Sequence, residues 1–278
     1  MTADVRPSAP ASGSAPGAAD GTAPAAGAML SVRDVRKLFG GFAAVDGVSF
    51  DVHPGEIVGL IGPNGAGKST LFQVISLFLP ATSGEVVFMG TPLIGRPPYV
   101  PARLGLVRTF QITRVFARMT VLENLMFAAP RQPGEHLQNL LLQPRRVREH
   151  EAQVARRAEE LVEYFNLGRV RDQYAGALSG GQRKLLEMAR ALMTEPRMML
   201  LDEPMAGVNP ALKEELLRYI RDLREKGMTF LVIEHDMDMI MRICDRIVVM
   251  ANGRIIAEGD PQSVRENRAV IDAYLGGA

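Results

Sequence analysis

The chain has 278 residues, 47% of them hydrophobic, enough to bury a sizeable core in one large domain or two small ones. Its 32 Lys and Arg stand against 31 Asp and Glu, leaving a formal charge of +1 without the strong positive field that nucleic-acid binding needs. Protein partners are therefore expected and nucleic acid is not. The single cysteine, Cys244, excludes an intramolecular disulfide or a cysteine-based metal cluster, and its apolar neighbours assign it to packing. No apolar run approaches the ~18 residues that a membrane-spanning helix requires, because Met198–Leu201 stops at Asp202 and Phe230–Ile233 stops at Glu234. Any membrane association is expected to come through a partner.

In chain order, residues 1–28 are almost entirely Ala, Pro, Gly, Ser and Thr and read as a disordered tail, since no basic cluster leads into an apolar core as in a secretory signal. The folded unit is expected over residues 29–278. Leu30–Val35, Val48–Val52 and Glu85–Met89 alternate as strands do and predict a small antiparallel sheet. Glu56–Ile61 predicts a strand leading directly into Gly62-Pro63-Asn64-Gly65-Ala66-Gly67-Lys68-Ser69, with a helix opening at Ser69 and Thr70. Glycines there let successive N–H groups turn inward around phosphates. Lys68 is placed to reach the β- and γ-phosphates, the Ser69 hydroxyl to ligate Mg²⁺, and the helix to aim its positive end at the same anion. The chain is expected to bind a nucleoside triphosphate.

From about residue 112 to 177 the spacing turns helical, with Val121–Phe127 and residues 151–166 carrying apolar positions at helical period, so a helical sub-domain is predicted as an insert. Residues 131–150, rich in Pro, Gln and Arg, predict a longer excursion within it. Leu178-Ser179-Gly180-Gly181-Gln182 then precedes a helix. Ser179 and Gln182 stand at capping-box spacing, and such a helix start attracts anions although the phosphate loop is already complete. Met198–Leu201 is an apolar strand ending on Asp202 and Glu203, which suits delivery of one carboxylate to Mg²⁺ and the other to water. Adjacent strand residues point to opposite sides, so the two are expected to differ in role. Helix 210–226 and strand 229–233 continue an alternation that argues a mainly parallel sheet flanked by helices, an α/β fold. Asn252-Gly253 between apolar runs signals a type I′ hairpin, and residues 261–275 close the fold as helix.

Phosphate loop, Leu-Ser-Gly-Gly-Gln and four apolar residues followed by Asp-Glu, in this order and spacing, resemble the ATP-binding subunit of ABC transporters over about residues 30–275. The resemblance implies a P-loop NTPase core with ATP and Mg²⁺ as ligands. It implies that Asp202 holds Mg²⁺ and Glu203 is the base, that Phe39 stacks on adenine, that Gln111 contacts Mg²⁺ and links the site to the helical sub-domain, and that His235 touches the γ-phosphate. It further implies a head-to-tail dimer, in which Ser179, Gly181 and Gln182 of one chain close over the ATP held by the other, and so accounts for the second anion site. Asn209 stands where many relatives carry Asp.

Phe39-Gly40-Gly41, Arg108-Thr109-Phe110-Gln111, the long helical insert, Ala206-Gly207-Val208-Asn209-Pro210, Glu234-His235-Asp236-Met237 and the closing Val270-Ile271-Asp272-Ala273-Tyr274-Leu275-Gly276 are similar to the ATPases of branched-chain amino acid importers. Urea importers and the lipopolysaccharide-export ATPase share much of the pattern. Such importers imply transmembrane permease subunits, a second ABC ATPase forming a heterodimer or else a homodimer, a periplasmic binding protein acting indirectly, and a position on the cytoplasmic face of the inner membrane. A soluble ABC ATPase working on DNA or ribosomes fits less well, since neither a long coiled coil nor a second nucleotide domain is present. A P-loop GTPase would need an Asn-Lys-x-Asp motif, which the chain lacks.

Overall fold

The computed structural model describes residues 27–109, 115–133 and 142–275. Its elements in chain order are β1 (Leu30–Phe39), β2 (Phe42–Val52), β3 (Ile57–Ile61), α1 (Lys68–Ile75), β4 (Ser83–Phe88), β5 (Thr91–Pro92), α2 (Val100–Leu104), β6 (Leu106–Arg108) and α3 (Val121–Ala128). There follow α4 (Pro144–Tyr164), α5 (Gly180–Met193), β7 (Met198–Asp202), α6 (Pro210–Glu225), β8 (Thr229–Ile233), α7 (Met237–Ile243), β9 (Arg246–Ala251), β10 (Arg254–Gly259), α8 (Pro261–Glu266) and α9 (Arg268–Leu275).

The strands form a four-stranded sheet in the order β2-β1-β4-β5 and a six-stranded sheet in the order β10-β9-β3-β8-β7-β6. The first is antiparallel, as the alternation at residues 30–35, 48–52 and 85–89 requires. In the second, β9, β3, β8, β7 and β6 run parallel and β10 returns antiparallel through the hairpin. All residues of β3, β7 and β8 are buried, which explains why they read as continuous apolar runs: a parallel sheet is covered on both faces.

Side-chain parity sorts those strands into two cores. Ile57, Ile61, Met199, Leu201, Phe230 and Val232 face the helices, while Val58, Leu60, Met198, Leu200, Leu231 and Ile233 face α1 and the antiparallel sheet. Cys244 is buried in the helical core beside Gly59, in the packing role expected of it. Between β6 and β7, α3 packs against α4 and α5. A reciprocal Thr120–Glu123 capping box starts α3, and the buried Asn124 amide bridges Phe116, Met119 and Thr120.

The chain reverses after β9 through Asn252 and Gly253, both with positive φ (50° and 78°), as a type I′ turn demands. Gly253 N–H donates to Ala66 O at 3.1 Å, so this turn also props the loop before α1.

Phe165, fully buried at the end of α4, meets the Tyr219 ring of α6 at 4.7 Å between centroids and ties the helical layer to the β7–β8 crossover. Phe165→Ala is expected to lower stability by about 3–5 kcal/mol, read from the urea unfolding midpoint. A loss below about 1 kcal/mol would show that this contact does not anchor the layer.

Candidate active site

Strand register decides where the site forms. Leu60 of β3 is paired with Ile233 of β8, and Ile233 with Asp202 of β7, so the three strands end level. The segments that follow, residues 62–69, 203–209 and 234–236, therefore emerge side by side from the carboxyl edge of the parallel sheet, where open α/β sheets bind ligands.

The first segment is wedged between β2 and β9. A Cβ on Gly62 would lie 2.0 Å from Met250 O, and one on Gly67 would lie 2.2 Å from Ala44 O; both residues also hold positive φ, so only glycine is accommodated. Gly67 begins α1 with no side-chain cap, leaving the first-turn N–H groups of Lys68, Ser69 and Thr70 available to an anion. Asn64 and Gly65 are exposed, whereas Ala66 is buried and anchored to the Asn252-Gly253 hairpin. Lys68 is only 5% exposed, and its Nζ donates to Gly62 O at 2.7 Å and Pro63 O at 3.0 Å. Burial lowers its pKa, and the nearby Glu203 charge acts in the opposite direction.

Asp202 and Glu203 do separate, though not by strand alternation as expected. Asp202 is the last residue of β7; it is buried, and its Oδ2 accepts from Arg108 Nη2 at 2.7 Å. Glu203 lies beyond the strand in the left-handed region (φ 49°), pinned there by its N–H to Ile233 O at 2.9 Å. Such backbone strain in a non-glycine residue collects at functional sites. The turn carries the Glu203 carboxylate to His235, whose Nε2 lies 2.9 Å from Oε1. Asp236 caps α7 and pairs with Lys213 of α6 at 2.9 Å, which fixes the segment bearing His235.

Ser179 caps α5 with the expected box: Gln182 N–H donates to Ser179 Oγ at 3.2 Å and Ser179 N–H to Gln182 Oε1 at 2.9 Å. Ser179 and Gly180 are exposed, and a Cβ on Gly181 would meet only the tip of Leu212. No hydrogen bond among the described residues joins this turn to residues 62–69. Phe39, at the tip of the β1–β2 hairpin, is half exposed with Lys37 Nζ 5.1 Å from its ring centre, and Phe42 stands opposite it. Asn209 caps α6 by accepting from Leu212 N–H at 2.9 Å. Gln111 and Phe110 lie outside the described residues.

Ser69 and Asp202, the described residues expected at the cation position, offer a hydroxyl and a carboxylate, both oxygen donors. No cluster of three or more metal-binding side chains occurs among the described residues. That sparse oxygen set suits Mg²⁺ carried in with phosphates and would not suit a dedicated protein-bound metal.

Three groups escaped the sequence reading. Arg108 was visible only as part of a run. Glu234, buried at the end of β8, was visible only as the neighbour of His235. Tyr274 of α9 is brought by the C-terminal helices against Gly62, whose N–H lowers a phenol pKa that burial raises. No local pattern flags Arg108 or Tyr274; for Glu234 the one available signal was a carboxylate straight after a fully buried strand.

A family described as ABC transporter matches residues 45–206, and a second, described as branched-chain amino acid ATP-binding cassette transporter, matches residues 254–278. The probable branched-chain amino acid transport ATP-binding protein LivG of Archaeoglobus fulgidus is 40% identical over 89% of this chain and 95% of its own length. The high-affinity branched-chain amino acid transport ATP-binding protein LivG of Escherichia coli K12 is 41% identical over 90% of this chain and 98% of its own. A crystal structure of a nucleotide-free ATP-binding cassette from an ABC transporter superposes with a TM-score of 0.76 at 41% identity, covering 89% of this chain and 98% of that one. The chain therefore belongs to the ABC transporter family, as an ATP-binding and ATP-hydrolysing cassette of the group that includes the LivG proteins.

Proposed function

We propose that this cassette energises an importer of branched-chain amino acids, working beside transmembrane permease subunits on the cytoplasmic face of the inner membrane. No described helix is long and apolar enough to cross a membrane, so permease contact would hold it there. The match at residues 254–278 and the names of the relatives support this cargo over urea or lipopolysaccharide. The observation that carries the chemistry is the Glu203–His235 pair at 2.9 Å at the sheet edge, with Lys68 close enough to feel the Glu203 charge.

In this reading the N–H groups at Gly65, Gly67, Lys68, Ser69 and Thr70 cradle the phosphates, and Lys68 exchanges its bonds to Gly62 O and Pro63 O for the β- and γ-phosphate oxygens. Ser69 and Asp202, with Gln111, would hold Mg²⁺. When bound, that ion neutralises charge on the phosphate oxygens. Glu203 orients a water and accepts its proton, and His235, held against Glu203, reaches the γ-phosphate. Phe39 offers a ring face to adenine.

Ser179, Gly181 and Gln182 lie at the start of α5, where Ser179 and Gly180 are exposed and no hydrogen bond among the described residues reaches residues 62–69, which fits a role on the ATP of a second cassette: a sibling subunit in a heterodimer, or another copy of this chain. A periplasmic binding protein would supply cargo without touching this subunit.

Glu203→Gln is expected to keep nucleotide affinity within about threefold while turnover falls by roughly 10²–10⁴, measured by fluorescent-nucleotide titration and phosphate release. Near-normal turnover would remove Glu203 from this role. Phe39→Ala should weaken ATP binding by roughly 1–3 kcal/mol in the same titration, and unchanged affinity would leave the ring to packing alone. For the cargo, cells lacking the gene should lose uptake of labelled leucine, isoleucine and valine, and regain it with the intact chain but not with Glu203→Gln. Loss of urea uptake, or of lipopolysaccharide export, with amino acid uptake intact would overturn the assignment.

A further inference from the structure

One carboxylate at the sheet edge has no task in the hydrolysis just described. Glu234 is 5% exposed and forms no ion pair among the described residues. Its two oxygens face two different segments: Oε1 accepts from Met205 N–H at 2.7 Å, and Oε2 accepts from His235 N–H at 3.1 Å. We propose that Glu234 is a positioning residue whose carboxylate straps the turn after β7 to the turn after β8, so that Met205 and His235 move as one unit.

Several features make the strap rigid. Both bonds join a carboxylate to backbone N–H groups, the stronger class of hydrogen bond. Burial raises the pKa of Glu234, and the N–H groups of Met205, His235 and Asp236 oppose that shift. Met205 is itself buried, so its end cannot swing into solvent. A third bond, from Glu203 N–H to Ile233 O, runs alongside and continues the β7–β8 pairing into the turn.

The consequence concerns how the site reports outward. Beyond Met205 the chain reaches Asn209, which caps α6, and α6 is tied back to Asp236 through Lys213. A displacement of His235 is thus delivered to residues 205–209 by a closed loop of contacts and not by His235 alone. This rests on the reading of Glu203 and His235 as the hydrolytic pair, and the experiment separates the two.

Amide hydrogen exchange, detected by NMR on the full chain, tests the strap. In the unaltered protein, Met205 and His235 should open with equilibrium constants within about threefold of each other, as members of one cooperative unit do. Glu234→Gln keeps the shape but turns an NH₂ group toward an N–H donor. It should raise exchange at both amides by about tenfold or more, and lower kcat by about tenfold with KM for ATP within about threefold. Opening constants more than about tenfold apart in the unaltered chain would overturn the strap even if the variant failed to fold. So would a variant that frees only one amide, or one with unchanged kcat. Should Glu203→Gln retain turnover, the hydrolytic reading falls while the exchange result still decides the strap.

Discussion

The pairing register of β3, β8 and β7 is the constraint from which the rest of the molecule follows. These strands are buried on both faces, and their side chains divide by parity between a core under the helices and a core over α1 and the antiparallel sheet. A slip of one residue would send every side chain of a strand into the opposite core, so the register is strongly specified. With it fixed, Leu60, Ile233 and Asp202 stand level and three loops leave the sheet together. Packing of apolar residues thereby positions polar chemistry to which those residues contribute nothing directly.

Three carboxylates crowd this edge, and each is held by a different kind of partner. Asp202 has the Arg108 guanidinium, Glu203 has the His235 imidazole, and Glu234 has backbone N–H groups. Like charges so close would raise one another's proton affinity if left uncompensated. Distinct partners suit the distinct tasks proposed for them: Asp202 for the cation, Glu203 with the more exposed His235 for the water, and the buried Glu234 for geometry. Lys68 faces the cluster from the first loop, where burial weakens its hold on a proton and Glu203 strengthens it.

The C-terminal region belongs to the same argument. Its hairpin turn donates from Gly253 to Ala66, Val264 and Val270 are buried in the helical core, and Tyr274 reaches Gly62. The stretch matched by the branched-chain amino acid cassette family therefore reaches the base of the phosphate loop through Tyr274. Gly62 has no room for a side chain because Met250 of β9 lies against it, so loop and C-terminal hairpin constrain each other.

Much of this was legible from residues alone. The phosphate loop announces itself because glycine is required wherever backbone meets backbone, as at Gly62 and Gly67. The Ser179–Gln182 box, the Asn252-Gly253 turn and the unbroken apolar runs of β7 and β8 are local effects of capping, positive φ and two-sided burial, and local effects leave local signatures. What only the tertiary structure decided is which distant groups meet: Arg108 with Asp202, Glu234 with Met205, Tyr274 with Gly62. It also showed that Glu203 turns away from Asp202 through a left-handed residue beyond the strand, not by alternation within it. These pairings depend on strand order and crossover path, quantities set by how whole elements pack and recorded in no short stretch of sequence.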